Sequence, residues 1–291
     1  MERNSTKSVS SREIDYAMPE LPEVETTRRG ISPHVMGRRI YEVIIRRNDL
    51  RQPVSPELAG LEGAEFVAVK RRSKYLLFET DRGEAVIIHL GMSGSLRVIP
   101  AGADWKKHDH IGITMQGGMQ LRYHDPRRFG LVLVCPIAGL ESHPLLKDLG
   151  PEPLGEMFTA QVLRDALQNK MIRIKVAIMD AKVVVGVGNI YASESLFRAG
   201  IDPMLPANKL TKPKAVRLVA AIKEVLAESI EQGGTTLRDF IKSDGEPGYF
   251  KQRLYVYDRK GEPCRVCDTP ILQCVLGQRS TYWCAACQKK R

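Results

Sequence analysis

The sequence predicts an α+β protein in which an N-terminal β-sandwich led by one helix is followed by a helical region ending in a four-cysteine zinc finger. Three observations carry this. Eight short β-rich segments crowd residues 40–134, helix-compatible stretches replace them after residue 159, and two Cys-x2-Cys pairs stand near the end of the chain. At roughly 150 residues per domain, a length of 291 suggests about two domains. With 43% hydrophobic and 27% charged residues, the chain can bury a core, which excludes a disordered or fibrous protein. No uncharged apolar run approaches the roughly 18 residues that a membrane-spanning helix needs. A formal net charge of +10 and a pI near 9.3 point to a polyanionic partner, although charge alone is equally compatible with a basic protein that binds no nucleic acid.

Residues 1–17, rich in Ser and charge with no apolar period, read as a disordered extension. Composition changes at Met18. Pro22 suits the first turn of a helix and Glu23 and Glu25 suit its N-terminal dipole, so a helix is expected from Pro19 to Arg29, ending near Gly30. Strands are expected at Ile40–Ile45, Glu65–Val69, Tyr75–Phe78, Ala85–Leu90, Gly94–Ile99, Ile111–Met115, Met119–Tyr123 and Leu131–Val134, each short and bounded by turn residues. The segment PEPLGEMF breaks this pattern. Helices follow near Thr159–Gln168, Ile174–Asp180, Ile190–Ala199 and Lys212–Gln232, then a Gly/Pro-rich loop. The chain closes on Cys264-x2-Cys267 and Cys284-x2-Cys287, spaced for a tetrahedral site holding one structural zinc ion with no open position. Cys135 and Cys274 stand among apolar residues and read as small buried hydrophobes. Without a secretory signal, a reduced cytoplasm is the expected location.

Three stretches hint at chemistry. In Val185-Gly186-Val187-Gly188-Asn189, glycines precede a helix whose exposed N–H groups suit a phosphate, though an ordinary interhelical turn has the same pattern. Arg71-Arg72-Ser73-Lys74 and Asp125-Pro126-Arg127-Arg128-Phe129-Gly130 read as solvated cationic loops, or as groups that enter a base stack opened by an extruded nucleotide.

Taken in order, MPELPEVET, RRSKYLL, HLGMSGSLR, KHDH, DPRRFG, LGPEPL, VVGVGNIYASESLF, EQGGTTLRDF, SDGEPGYF, VYDRKGEPCRVC and QRSTYWC make the chain from Met18 to Lys289 resemble the bacterial formamidopyrimidine-DNA glycosylases. These enzymes excise oxidised purines. Endonuclease VIII is similar in plan but usually carries Gly where Leu21 stands. The resemblance implies a helix-two-turn-helix second domain and, as partner, damaged double-stranded DNA bound by a monomer. It divides the chain into a catalytic domain at 18–149, a DNA-binding domain at 150–245, and a lid loop with zinc finger at 246–291; the stretch Ser243–Tyr255 contains the mobile lid.

It also implies roles. Pro19, once the residues before it are gone, is the imino nucleophile, because a secondary amine at the chain head forms an iminium that acts as an electron sink. Glu20 is the general acid for the sugar ring oxygen. Lys74 contacts phosphate and base and serves β-elimination, and Arg279 grips the flanking phosphates and serves δ-elimination. Met92, Arg127 and Phe129 enter the duplex; His108, Lys170 and Asn189 contact the nucleic acid. Glu23 either touches the same site or only favours its helix start. Residues 1–17 depart from the family pattern: with them in place Pro19 is an amide, so either Met18 is the true start, the extension is cleaved, or the protein binds lesions without cutting. A basic zinc-ribbon protein of transcription or the ribosome accounts for the charge and cysteines but leaves Pro19, Lys74 and Arg279 idle.

Overall fold

The computed structural model describes residues 19–234 and 254–289; the expected tail at 1–17 and the lid stretch from 243 to 253 lie outside the described residues. Helix α1 spans Leu21–Val35 and so continues beyond the expected stop at Gly30, passing through Pro33 as well. Burial explains the overrun: Leu21, Ile31 and Val35 are fully buried, and tertiary packing outweighs the weak local cost of one glycine. The helix ends where Gly37 takes a φ of +70°, a conformation that favours glycine.

Eight antiparallel strands follow, at Arg38–Ile45 (β1), Glu65–Arg72 (β2), Tyr75–Thr80 (β3), Glu84–His89 (β4), Ser95–Pro100 (β5), Asp109–Met115 (β6), Met119–His124 (β7) and Leu131–Pro136 (β8). Their order is β5-β7-β6-β1-β2-β3-β4-β8. β1 belongs to both halves. Its first residues, Arg38 and Arg39, pair with β2, and from Ile40 onward it pairs with β6, with an irregularity between Ile40 and Glu42. This change of partner folds the sheet over itself, so Phe66, Leu76, Phe78 and Ile88 of one half share a core with Leu96, Ile111, Ile113 and Leu121 of the other. The expected sandwich is therefore present.

The second half packs α2 (Ala160–Leu167), α3 (Ile174–Ile178), α4 (Asn189–Arg198) and α5 (Lys212–Gly234) around a separate core that includes Phe158, Ile174, Ile178, Tyr191, Leu196 and Ile222. Thr159 caps α2 by accepting a hydrogen bond from Val162 N at 3.2 Å. A hairpin of β9 (Leu272–Leu276) and β10 (Arg279–Trp283) completes the fold. Cys135 and Cys274, expected as buried, are half-buried. Among the described residues no helix is long and apolar enough to cross a membrane.

Helix α1 joins the two halves. Val24 lies in the first core, while Thr26 lies so close to Gly233 of α5 that any side chain there would strike it. The start of α1 thus sits where the sheet meets the helices.

Candidate active site

Pro19 and Glu20, just ahead of α1, are both buried. Glu20 reaches across to the start of α4, where its carboxyl accepts hydrogen bonds from the N–H groups of Gly188 (2.6 Å), Ile190 (2.9 Å) and Tyr191 (3.4 Å). The glycine-rich turn therefore cradles an anion, but that anion is a side chain of this chain. The expected phosphate position on these N–H groups is taken. Two glycines make the approach possible. Gly186 has φ +77° and a Cβ there would sit 2.5 Å from Leu21 Cβ; one on Gly188 would overlap the Glu20 carboxyl group. Leu21 N also donates to Gly186 O at 3.1 Å, tying the backbones of the two segments together.

Burial pushes the Glu20 carboxyl up to about 7; Glu23 adds to the shift, and Lys74 and the N–H groups of Ile190 and Gly188 oppose it. Glu23 is raised as well, again by burial. Its two oxygens are occupied, Oε1 by Tyr191 OH at 2.5 Å and Oε2 by Glu20 N at 2.9 Å. Both readings open for Glu23 hold: it accepts from the N–H of Glu20, the residue that caps α1, and so secures the helix start, while its other oxygen reaches Tyr191 beside the Glu20 carboxyl.

Lys74 is half-buried in the turn between β2 and β3, and its charge acts on both Glu20 and Glu23. Lys175 of α3, not marked by the sequence, has no exposed surface. Its Nζ donates to Asn189 Oδ1 and, at 3.3 Å, to Ser280 O beside Arg279. Burial lowers its ammonium to about 8, with Glu20 and Cys274 opposing and Arg279 assisting. Glu20, Lys74, Asn189, Lys175 and Arg279 are thus linked through hydrogen bonds or direct charge effects. Arg279 is exposed at the start of β10, after a turn in which Gly277 and Gln278 both have positive φ.

A second group is built on the buried Asp125. Its carboxylate accepts from Ser93 Oγ (2.8 Å), Tyr123 OH (3.0 Å) and Gly130 N (2.9 Å), and Arg127 N donates to Ser93 Oγ at 3.1 Å. Asp125 N donates to His108 O at 3.0 Å. The Asp125 side chain therefore joins the turn that holds Met92 to the turn that holds Arg127 and Phe129, while its backbone N–H ties in His108. Gly91 lets the first two turns meet, since a Cβ there would lie 2.7 Å from Phe129 O. Met92 is half-buried outside the core, Phe129 is 45% exposed, and the Arg127 guanidinium stacks 5.0 Å over its ring. Arg128 turns away to pair with Asp49 at 2.5 Å. Lys170, on the connection from α2 to α3, pairs with Asp180 at 3.1 Å.

The four cysteine sulfurs lie within 4.8 Å of one another, with separations of 3.4 Å (Cys267 to Cys284), 3.5 Å (Cys267 to Cys287) and 3.9 Å (Cys264 to Cys287). A zinc ion bound tetrahedrally at roughly 2.3 Å requires sulfurs about 3.8 Å apart, so the donor set fits that ion and leaves no position for water.

Pro19, Glu20, Lys74 and Arg279, singled out from the sequence, thus lie around one neighbourhood, whereas Lys175, Tyr191 and Asp125 were missed. Only Asp125 carried a signal, as the first residue of a turn next to proline.

Comparison with known proteins agrees with this geometry. The family model for the formamidopyrimidine-DNA glycosylase N-terminal domain matches residues 18–132, that for the H2TH domain matches 149–241, and a zinc finger found in FPG and IleRS matches 261–290. The chain is 56% identical over 272 residues to the formamidopyrimidine-DNA glycosylase of Cronobacter sakazakii, covering 94% of this chain and 100% of the relative. To that of Xanthomonas axonopodis pv. citri it is 52% identical over 273 residues, with the same coverage. Among solved structures, the MutM (FPG) protein of Thermus thermophilus superposes with a TM-score of 0.80 at 40% identity, covering 93% of this chain and 98% of that one. Lactococcus lactis Fpg in complex with DNA containing N7-benzyl-Fapy-dG gives 0.85 at 33% identity, covering 94% and 100%.

Proposed function

Because the chain belongs to the formamidopyrimidine-DNA glycosylase family, we propose that it is a DNA glycosylase that removes oxidised purines from duplex DNA and then cuts the resulting abasic site as a lyase. The observation that carries this reading is the carboxyl of Glu20, buried beside Pro19 and held up at about 7, where a general acid can still own its proton near neutrality.

The chemistry follows from the neighbouring groups. With Pro19 at the head of the chain, its neutral nitrogen bonds to C1′ of the extruded nucleotide and gives up its proton, Glu20 protonates the ring oxygen as the C1′–O4′ bond breaks, and the nitrogen lone pair forms the C=N bond as the base departs with the glycosidic electron pair. The adduct is an iminium. It acidifies C2′, and loss of that proton expels the 3′ phosphate; elimination of the 5′ phosphate follows. Lys74 serves the first elimination and Arg279 the second, with the flanking phosphates held by Arg279, Asn189, His108 and Lys170. Met92, Arg127 and Phe129 fill and wedge the emptied stack. The zinc finger holds the hairpin and takes no chemical step. The N-terminal family match, which starts at residue 18, supports a working chain headed by Pro19.

Borohydride trapping tests this directly. A chain beginning at Pro19 is expected to form a covalent adduct with a duplex containing 8-oxoguanine, and a chain retaining residues 1–18 none. Failure of the first to trap would reject the reading.

The pH dependence has a definite sign. Glu20 must be protonated and is so below about 7, whereas a free Pro19 amine must be neutral and becomes so above roughly 7.7 to 8.0. Single-turnover excision is therefore expected to follow a bell whose alkaline limb belongs to Glu20. A rate still climbing at pH 9 would contradict that assignment.

A further inference from the structure

We propose that Glu152 is a positioning residue for Lys74, holding the β2–β3 turn so that the lysine faces the Glu20 pocket. This rests on the role given to Lys74 above. Arg72 pairs with Tyr75, so Ser73 and Lys74 alone make the turn. Ser73 takes φ +57°, a left-handed conformation that costs every residue with a side chain, and Ser73 is only 4% exposed. Something must hold it there.

Glu152 does so from the segment that leads out of the sandwich. Its Oε1 accepts from Ser73 N at 2.7 Å and from Arg72 NH1 at 3.0 Å, and its Oε2 accepts from Arg71 NH1 at 2.7 Å. Arg71 NH1 also donates to Ser73 O at 3.0 Å, so both backbone polar groups of the strained residue are fastened to the same ion cluster. Arg72 NH2 donates to the carbonyls of Leu149 (2.8 Å) and Gly150 (2.7 Å), which docks the turn on that segment. Glu25 of α1 completes the cluster by accepting from Arg71 Nε at 3.1 Å. Burial works to raise the Glu25 carboxyl, yet Arg28, Arg29 and Arg71 hold it down at about 2, so it stays ionised.

The arrangement also sorts three neighbouring cations. Arg71 and Arg72 are neutralised by Glu25 and Glu152, while the Lys74 charge acts on Glu20 and Glu23. Removing Glu152 takes the acceptor from Ser73 N–H, takes from Arg72 its carboxylate partner, and leaves Arg71 held by Glu25 alone. The strained turn then relaxes and carries the lysine with it.

The test is epistasis, using zinc-loaded protein headed by Pro19 and a duplex with a preformed abasic site. Glu152→Ala is expected to slow single-turnover strand cleavage roughly tenfold or more, since a displacement of about 1 Å has effects of that size. Duplex Kd should stay within about twofold, and Glu152→Gln, which keeps one acceptor, should fall between. Combined with Lys74→Ala, Glu152→Ala should add no further loss, because both act through one group. Ser73→Gly, which removes the need for a clamp, should restore part of the rate to Glu152→Ala. Multiplying losses in the double variant, or no rescue by glycine, would overturn the proposal. So would a Glu152→Ala protein that cleaves like the wild type while Lys74→Ala is slow. If Lys74→Ala itself cleaves normally, the role of the lysine has failed first.

Discussion

Replacing Gly188 by alanine is expected to abolish most base excision while leaving the fold and the grip on DNA in place. A Cβ at this position overlaps the carboxyl group of Glu20, and that group has nowhere to retreat, because Gly188, Ile190 and Tyr191 all donate to it in the native arrangement. The backbone at Gly188 has φ −110°, which alanine adopts without strain, so the damage is confined to the contact. Driven off its three donors, Glu20 loses both its aim and the enclosure that holds its proton near pH 7. Positioned acid catalysis is worth about 100- to 10,000-fold, or roughly 3–5 kcal/mol of barrier, and that is the expected loss in single-turnover excision of 8-oxoguanine. Cleavage of a preformed abasic site should suffer less, since no base has to leave. An alanine variant that excises within threefold of the wild type would show that Glu20 does not act from this cradle.

The same contact shows what the sequence could and could not disclose. A glycine-rich turn before a helix signals an anion, and an anion does sit there. It is Glu20, however, which lies 168 residues from Gly188, and no local pattern reports a partner at that distance. Strand positions were legible because short β-rich runs end at turn residues, as Tyr75–Thr80 and Glu84–His89 do. The sheet order was not, because the pairing of β1 with β6 and of β4 with β8 depends on the fold closing over a shared core. Helix α1 overran its expected end because Ile31 and Val35 gain more from burial than Gly30 and Pro33 lose. Cations were the least legible. Arg71, Arg72 and Lys74 look alike in sequence, yet two are spent on carboxylates and one acts on Glu20. Lys175 reads as an ordinary helix lysine and is wholly enclosed.

Stripping zinc from the protein with a chelator is expected to disorder the C-terminal hairpin and to weaken binding to a lesion duplex by roughly tenfold or more. The reason lies in how little else holds that hairpin. Its own core comprises Phe197, Val256, Ile271 and Tyr282 with the buried Cys264 and Cys284, too few apolar groups to offset the entropy of ordering the finger. Four thiolates meeting one zinc ion would supply the missing stability, and without an ion they would be close, mutually repelling or protonated sulfurs. The consequence reaches Arg279 at the hairpin tip, where Gly277 rests against Val176 and Ser280 O receives the Lys175 ammonium. A tip set free from α3 leaves Lys175 without one of its acceptors and, on the role proposed for Arg279, moves the arginine off the flanking phosphates. Strand cleavage should then stop more often after the first elimination, giving a larger share of β-product over β,δ-product, and Cys267→Ser should reproduce both changes. The sandwich and helical cores contain none of these cysteines, so their unfolding transitions should persist in the chelated protein. Chelated protein that binds as tightly as before and yields the same ratio of products would mean that the hairpin, and Arg279 with it, is held by packing alone.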